Sequence, residues 1–194
     1  MKILTRKGLN QLRSNRSLLR DHILKAADER EKEIHRRYRV YCLVPRADCT
    51  LMWAHYADKH RGVCLEFAHD ARVFDGTYKV VYCEEYPEFD PGERDINKIL
   101  LPLITKSHDW KYEEEYRAIS QDKDNRTSHD TLITDNNYFS LPAKMLVSVI
   151  MGAMIRRFDE DEIRKMVAPR TGHPIALKRA VRLPNRYSLT VERC

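Results

Sequence analysis

Short apolar runs, bounded by turn residues, constrain the fold of this chain more than any other feature. Eight segments read as strands: Tyr38 to Val44, Val63 to Phe67, Tyr78 to Tyr82, Glu115 to Ser120, Leu132 to Leu141, Leu146 to Met151, Ile175 to Leu183 and Tyr187 to Val191. Each is rich in β-branched or aromatic residues, and Gly, Pro, Asn or Asp punctuates the chain between them. Several follow one another with no helix between them, which parallel crossovers would require. Val63–Phe67, Val-Cys-Leu-Glu-Phe, reads as a buried strand, and Asp75-Gly76 turns the chain back into Tyr78 to Tyr82. The expectation is an α+β fold: a mostly antiparallel central sheet flanked by helices.

The helices are fewer. Residues 16–37 place Leu19, Ile23, Ala26, Ala27 and Ile34 at helical spacing, with Ser17 as candidate cap and Glu29 and Glu33 positioned against Lys32, Arg36 and Arg37. Thr50 to Asp58 reads as a short helix capped by Thr50. Asp95 to Lys106 reads as an apolar-faced helix that Pro102 kinks or ends. Asp159 to Val167 reads as a helix with Asp159 as cap and Glu162 three residues on. Residues 121–131 are wholly polar and read as an exposed connection, and Pro142 to Met145 as a turn.

With 194 residues, one domain is expected: a basic helical segment over 1–37 and an α+β body over 38–194. No apolar run approaches the length that spans a bilayer, so no membrane contact is expected. The first residues carry no apolar stretch of a signal peptide. Five cysteines at irregular spacing then read as reduced thiols of a cytoplasmic protein. The net charge of +6 is unevenly spread: residues 1–46 hold 13 Lys/Arg and 5 Asp/Glu, the remainder 22 and 24. The basic character therefore belongs to the N-terminal segment. A solvated helix face explains it; contact with nucleic-acid phosphates is the sharper alternative, and no aromatic interleaving supports base stacking.

Two dense clusters carry candidate chemistry. The first, Leu51-Met52-Trp53-Ala54-His55-Tyr56-Ala57-Asp58-Lys59-His60-Arg61-Gly62-Val63-Cys64-Leu65-Glu66-Phe67, brings two large aromatics, two histidines, an Asp and an Arg within ten residues. On a helix, Trp53, Tyr56 and Ala57 share one face, and His55, Asp58 and Lys59 another. Trp53 and Tyr56 either anchor that helix to the sheet or, with His55, Asp58, His60 and Arg61, hold a ligand. Cys49, His55, His60 and Cys64 match no common zinc spacing, so no metal is expected. The second cluster runs from Thr105 to Ile119 and places three consecutive glutamates between aromatics. In an extended chain, Glu113, Glu115 and Arg117 line one face. They would form a salt-bridged strut, bind a ligand together with Lys106, Trp110 and Tyr112, or supply acid–base chemistry through Glu113 and Glu115.

The order of these clusters, Leu-Met-Trp-x-His-Tyr-Ala-Asp-x-His-x-Gly-Val-Cys-x-Glu-Phe, then Thr-Lys-Ser-x-Asp-Trp-x-Tyr-Glu-x-Glu-Tyr-Arg, then an apolar strand ending in Gly152, closely resembles the bacterial domain of unknown function 2971 family over about residues 38–170. Longer members of that family open in a way that resembles ADP-ribosyltransferase-like folds. The resemblance implies an NAD-using enzyme of phage-defence or toxin type. In it Glu115 or Glu113 stabilises charge at the ribose, while Trp53, Tyr56 and Arg61 hold the nicotinamide nucleotide. Residues 1–15 show neither the Tyr-rich strand nor the Asn-Asp-Pro-like segment of those longer members, so the chain is expected to start after them and to expose a sheet edge. A homodimer or a protein partner at that edge is the corresponding expectation. The alternative is a non-catalytic module in which the same residues bind a ligand or a partner.

Overall fold

The computed structural model describes residues 16–68, 77–87, 95–122, 132–135, 138–139, 141–168 and 173–194. Helix α1 (Arg16–Arg37) leads directly into strand β1 (Tyr38–Leu43). Then come α2 (Thr50–Tyr56), β2 (Val63–Phe67), β3 (Thr77–Lys79), β4 (Val81–Cys83), α3 (Ile96–Ile104), β5 (Thr105–Ser107) and a 3₁₀ helix (His108–Glu113). Strands β6 (Tyr116–Asp122), β7 (Leu132–Asp135) and β8 (Tyr138–Phe139) precede a 3₁₀ turn (Ala143–Met145) and β9 (Leu146–Met151). Helix α4 (Arg157–Val167), β10 (Ala176–Arg182) and β11 (Leu189–Arg193) complete the order.

The strands form two principal sheets, mostly antiparallel, and the fold is α+β as expected. In the first, β6 is central: β1 pairs along one side (Tyr38 opposite Gln121, Cys42 opposite Arg117), and β3 and β7 share the other. In the second the order is β11-β10-β9-β2, with only the β9–β10 pair parallel. A short parallel pair, β4–β5, sets Tyr82 beside Lys106.

Each sheet has its own apolar core. Ile34 of α1, Tyr38, Leu100 of α3 and Ile119 close over the first sheet. Trp53 and Ala57 of α2 pack on Ile150, Ala180 and Leu189 of the second. The helical period of residues 16–37 delivers Ile34 to the core, while Leu18, Leu19, Ile23 and Leu24 remain exposed. On that helix Lys32 and Arg36 are spent on Asp28 and Glu33.

Several local readings need correction. Thr50 begins α2, but Cys49 holds the cap position without a side-chain bond. Likewise α4 starts at Arg157 with Arg156 in the cap position, which moves Asp159 into the first turn, where its charge favours the helix dipole. Ser17 lies inside α1. Tyr78 to Tyr82 is two strands broken at Val80, because its halves pair with different partners, β6 and β5. Strand β2 is an edge strand with Val63 and Leu65 exposed, not a buried one. The Asp75-Gly76 turn and most of 121–131 lie outside the described residues.

The link between α2 and β2 is a left-handed turn. Asp58, Lys59 and His60 have φ of 44°, 53° and 69°, a region L-residues enter at a cost of roughly 1–2 kcal/mol each. The turn persists because backbone hydrogen bonds tie it to its surroundings: His60 N–H to Trp53 O (3.1 Å), Gly62 N–H to Ala57 O (2.8 Å), and Met154 N–H to His60 O (2.9 Å). Gly152 completes it, since a Cβ there would lie 2.1 Å from the His60 carbonyl oxygen. Gly152→Ala should therefore destabilise the protein by about 3 kcal/mol or more, the top of the overpacking range, because the clashing atom is backbone. At the exposed Lys59, by contrast, substitution with Gly relieves the positive φ and should stabilise by up to about 1 kcal/mol. Denaturant unfolding of the two variants checks both signs.

Candidate functional site

The two sequence clusters meet in space. The C-terminal turn of α2 presents Tyr56 toward the 3₁₀ helix, and its hydroxyl donates to Glu113 Oε1 at 2.9 Å across 57 residues of sequence. His55 packs edge-on against Trp110 (5.7 Å between ring centres), and Trp110 against Tyr112 (6.0 Å). Lys106 Nζ lies 5.1 Å from the Trp110 ring centre, a cation–π distance.

Residues 112–117 are not one extended segment, contrary to the alternation expected from sequence. Ser107 accepts from the Asp109 N–H and starts the 3₁₀ helix, which ends when Glu114 enters the left-handed region at φ 49°. Side-chain directions therefore do not alternate through this stretch, yet Glu113 and Glu115 both reach Lys106. Both glutamates are buried, 3% and 2% exposed, which makes their partners decisive.

Glu115 accepts from Lys106 Nζ (3.0 Å) and from Arg117 Nε (2.9 Å) and Nη2 (3.2 Å), with the Cys42 thiol close enough to interact with it. Those three donors take three of the four acceptor positions of a carboxylate. Burial pushes its pKa up, but the bonds from Arg117, Cys42 and Lys106 outweigh it and hold the carboxyl at about 2. The same contact works in reverse on Cys42: burial and the bond to Glu115 push the thiol up to about 11, so it stays protonated. Among the described residues Glu113 accepts from Tyr56 and Lys106.

Arg117 is anchored behind Glu115. Its Nη1 donates to Leu103 O (2.7 Å), a carbonyl that the end of α3 leaves without a helical partner. Thr105 Oγ1 likewise donates to Leu101 O at 2.6 Å. The Glu115 backbone is fixed too, its N–H donating to the Tyr82 hydroxyl (2.8 Å) and its carbonyl accepting from Val80 N–H (2.9 Å).

Above this cluster opens a cleft of about 330 Å³. Trp53, Met52 and Val63 wall it with apolar surface; Tyr56, Lys106, Glu113 and Glu115 supply its polar groups. Of the residues singled out from sequence, Trp53, Tyr56, Lys106, Glu113 and Glu115 line the cleft. His55, Trp110 and Tyr112 form the adjoining aromatic contact, and Arg117 sits behind. Asp58, His60 and Arg61 do not line it. They belong to the left-handed turn, where Arg61 forms a two-bond pair with Asp58 (2.9 and 3.0 Å) and burial lowers the His60 pKa with help from Arg182. Cys42 and Tyr82 were missed by sequence reasoning: each lies in a strand-like run, and only the register beside Arg117 and Lys106 reveals its role. Among the described residues no group of three or more His, Cys, Asp or Glu is placed to hold a metal. Nor, among them, is any helix long and apolar enough to cross a membrane.

Fold and site together define an α+β protein with two sheets and a neutral, salt-bridged cleft between them. Residues 52–118 match the family described as protein of unknown function (DUF2971). The matched segment runs from Met52 on the cleft wall to Ala118 in β6 and contains every lining residue named above. No curated protein and no solved structure matches the chain.

Glu115 dominates the acid response of this cluster. A carboxyl depressed on folding contributes stability that is complete above its ordinary pKa near 4.5 and is lost as pH falls toward about 2. Stability should decline through that window, with roughly 3 kcal/mol attributable to this group. Glu115→Gln should cost about 3–5 kcal/mol at neutral pH, because it leaves buried cations underpaired, and should flatten the decline. Denaturant titrations at a series of pH values check both effects.

Proposed function

We propose that this protein is a non-catalytic recognition module whose cleft takes a small, flat, neutral group bearing a carboxamide. The observation that carries this reading is the commitment of buried Glu115 to two cations. Lys106 and Arg117 hold three of its four acceptor positions and keep it ionised and immobile, which suits a structural carboxylate better than one that takes a proton from substrate. The remaining polar capacity is specific. Lys106 uses two of its three N–H donors on Glu113 and Glu115. The Tyr56 hydroxyl donates to Glu113, which leaves its oxygen free to accept. One donor beside one acceptor matches the C=O and NH₂ of a primary amide.

The walls fit the same ligand. Two carboxylates and two cations cancel, so an ionic ligand gains no net attraction at the floor. The apolar walls favour a planar ring. A volume of about 330 Å³ lies at the small end of ligand pockets, enough for a ring with its amide. Nicotinamide is such a group, which connects the cleft to the NAD-using, ADP-ribosyltransferase-like reading of the family resemblance. In the present reading NAD would be bound through its nicotinamide and not consumed.

Calorimetric or NMR titration with nicotinamide and with NAD tests this. Binding at about 1 mM or tighter is expected, weakened about tenfold by Tyr56→Phe, with benzoate much weaker than nicotinamide. Absence of nicotinamide binding sinks the reading. So does NAD consumption that Glu115→Gln abolishes, which would restore the enzyme.

A further inference from the structure

The cleft adjoins a larger groove of about 950 Å³, lined along its two banks by residues of the edge strands β1 and β2. Strand β1 is terminal in the first sheet and β2 terminal in the second. Each is hydrogen-bonded along one side only among the described residues, β1 to β6 and β2 to β9. Tyr41 to Pro45 line one bank and Val63 to Ala68 the other. Cys42, Tyr56 and Cys64 line both the groove and the cleft, which makes the two spaces continuous.

Unpaired strand edges in native proteins are ordinarily blunted by charge, by Pro or by a covering element. These edges carry little of that protection. Tyr41, Val63 and Leu65 are 42%, 39% and 46% exposed, apolar side chains on open edges. The charged residues of the banks are already neutralised, Arg46 by Asp48 and Glu66 by Lys178. The groove therefore offers two rows of main-chain donors and acceptors with a neutral, apolar lining.

We infer that the groove binds an extended, uncharged polypeptide segment that adds as a strand between β1 and β2, with an Asn or Gln side chain entering the cleft. This deepens the preceding reading and rests on it for the side chain in the cleft. A second folded copy does not suit the site. Even its edge strands β1 and β2 are hydrogen-bonded on one side, so neither could bond to both banks at once as a single extended chain can. The inserted segment would alternate apolar residues against Tyr41, Val63 and Leu65, since successive side chains of a strand point to opposite faces.

A phage-displayed library of random peptides of about twelve residues, long enough for one strand and its flanks, is the probe. Enriched peptides should show apolar alternation and an Asn or Gln. Synthetic versions N-methylated at alternate amides should lose at least about tenfold in affinity whichever alternate set is methylated, since both edges of the inserted strand are bonded. Single-edge docking would be sensitive to one set only, and that result overturns the inference. Tyr41→Lys and Leu65→Lys, both at exposed positions outside the cleft, should each weaken the peptides about tenfold and leave nicotinamide binding unchanged. No enrichment, helical binders, or binders indifferent to both variants also overturn it. If nicotinamide still binds in that case, the groove inference alone has failed. If peptides bind with both methylation sensitivities and nicotinamide does not, the groove stands and the carboxamide reading falls.

Discussion

The ion cluster of Lys106, Glu113, Glu115 and Arg117 is the interaction on which the middle of this molecule depends. It is costly to build, because four charges leave bulk water together. It is tolerable because every charge in it has at least two hydrogen-bond partners. Arg117 spends one arm on the open end of α3 and the other on Glu115, Lys106 bridges both glutamates, and the Tyr56 hydroxyl donates to Glu113 while the Cys42 thiol lies beside Glu115. The elements joined in this way are α2, α3, β1, β5, β6 and the 3₁₀ helix. Removal of one partner would leave the others buried and underpaired, so the cluster acts as a unit. Rigidity of that kind suits a recognition surface, where a preformed donor and acceptor reduce the ordering cost of binding.

A second constraint lies on the opposite flank of α2. The left-handed run Asp58–His60 reverses the chain within three residues and sends β2 back along β9. Gly62 and Gly152 are the residues that let backbone approach backbone there. The Asp-x-His-x-Gly motif and the glycine at the end of the β9 strand, 90 residues apart, are thus two halves of one turn. His60 and Arg61 belong to this turn, His60 through its backbone bonds and Arg61 through its pair with Asp58. The C-terminal end of α2 is consequently held twice, by the turn that follows it and by the Tyr56–Glu113 bond, with Trp53 fixed in the core and its indole N–H donating to Ala47 O at 2.6 Å.

Much of the fold was legible in the sequence because it is local. The period of 16–37 gave helix α1, and the Val-Cys-Leu-Glu-Phe run gave β2 with correct bounds. The exposure of β2 was not legible, since an edge strand and a buried strand share composition and differ only in what lies beside them. The split at Val80 was hidden for the same reason: whether a strand continues depends on its partner. At the site, the importance of both clusters could be read, but not their meeting. Glu113 and Glu115 converge on Lys106 through a 3₁₀ turn and a left-handed Glu114, where alternation would have made them neighbours on a strand. Tyr82 and Cys42 enter through sheet register, a long-range property that no local pattern encodes.

The placement of the cluster relative to the two sheets has a consequence for how a ligand would act. The first sheet closes on Ile34, Leu100 and Ile119, the second on Trp53, Ile150 and Leu189, as separate cores. Between them the chain supplies polar contacts at Tyr56 and Glu113 and an open groove along β1 and β2. Among the described residues each sheet has its own apolar core, whereas the Tyr56–Glu113 hydrogen bond and the open groove lie between them. A segment seated between the two edges would add main-chain hydrogen bonds to both sheets at once, and burial of Tyr41, Val63 and Leu65 would add apolar area along the groove. Binding free energy would then appear partly as stiffening of the junction, because the same contacts that hold the ligand would hold the sheets together.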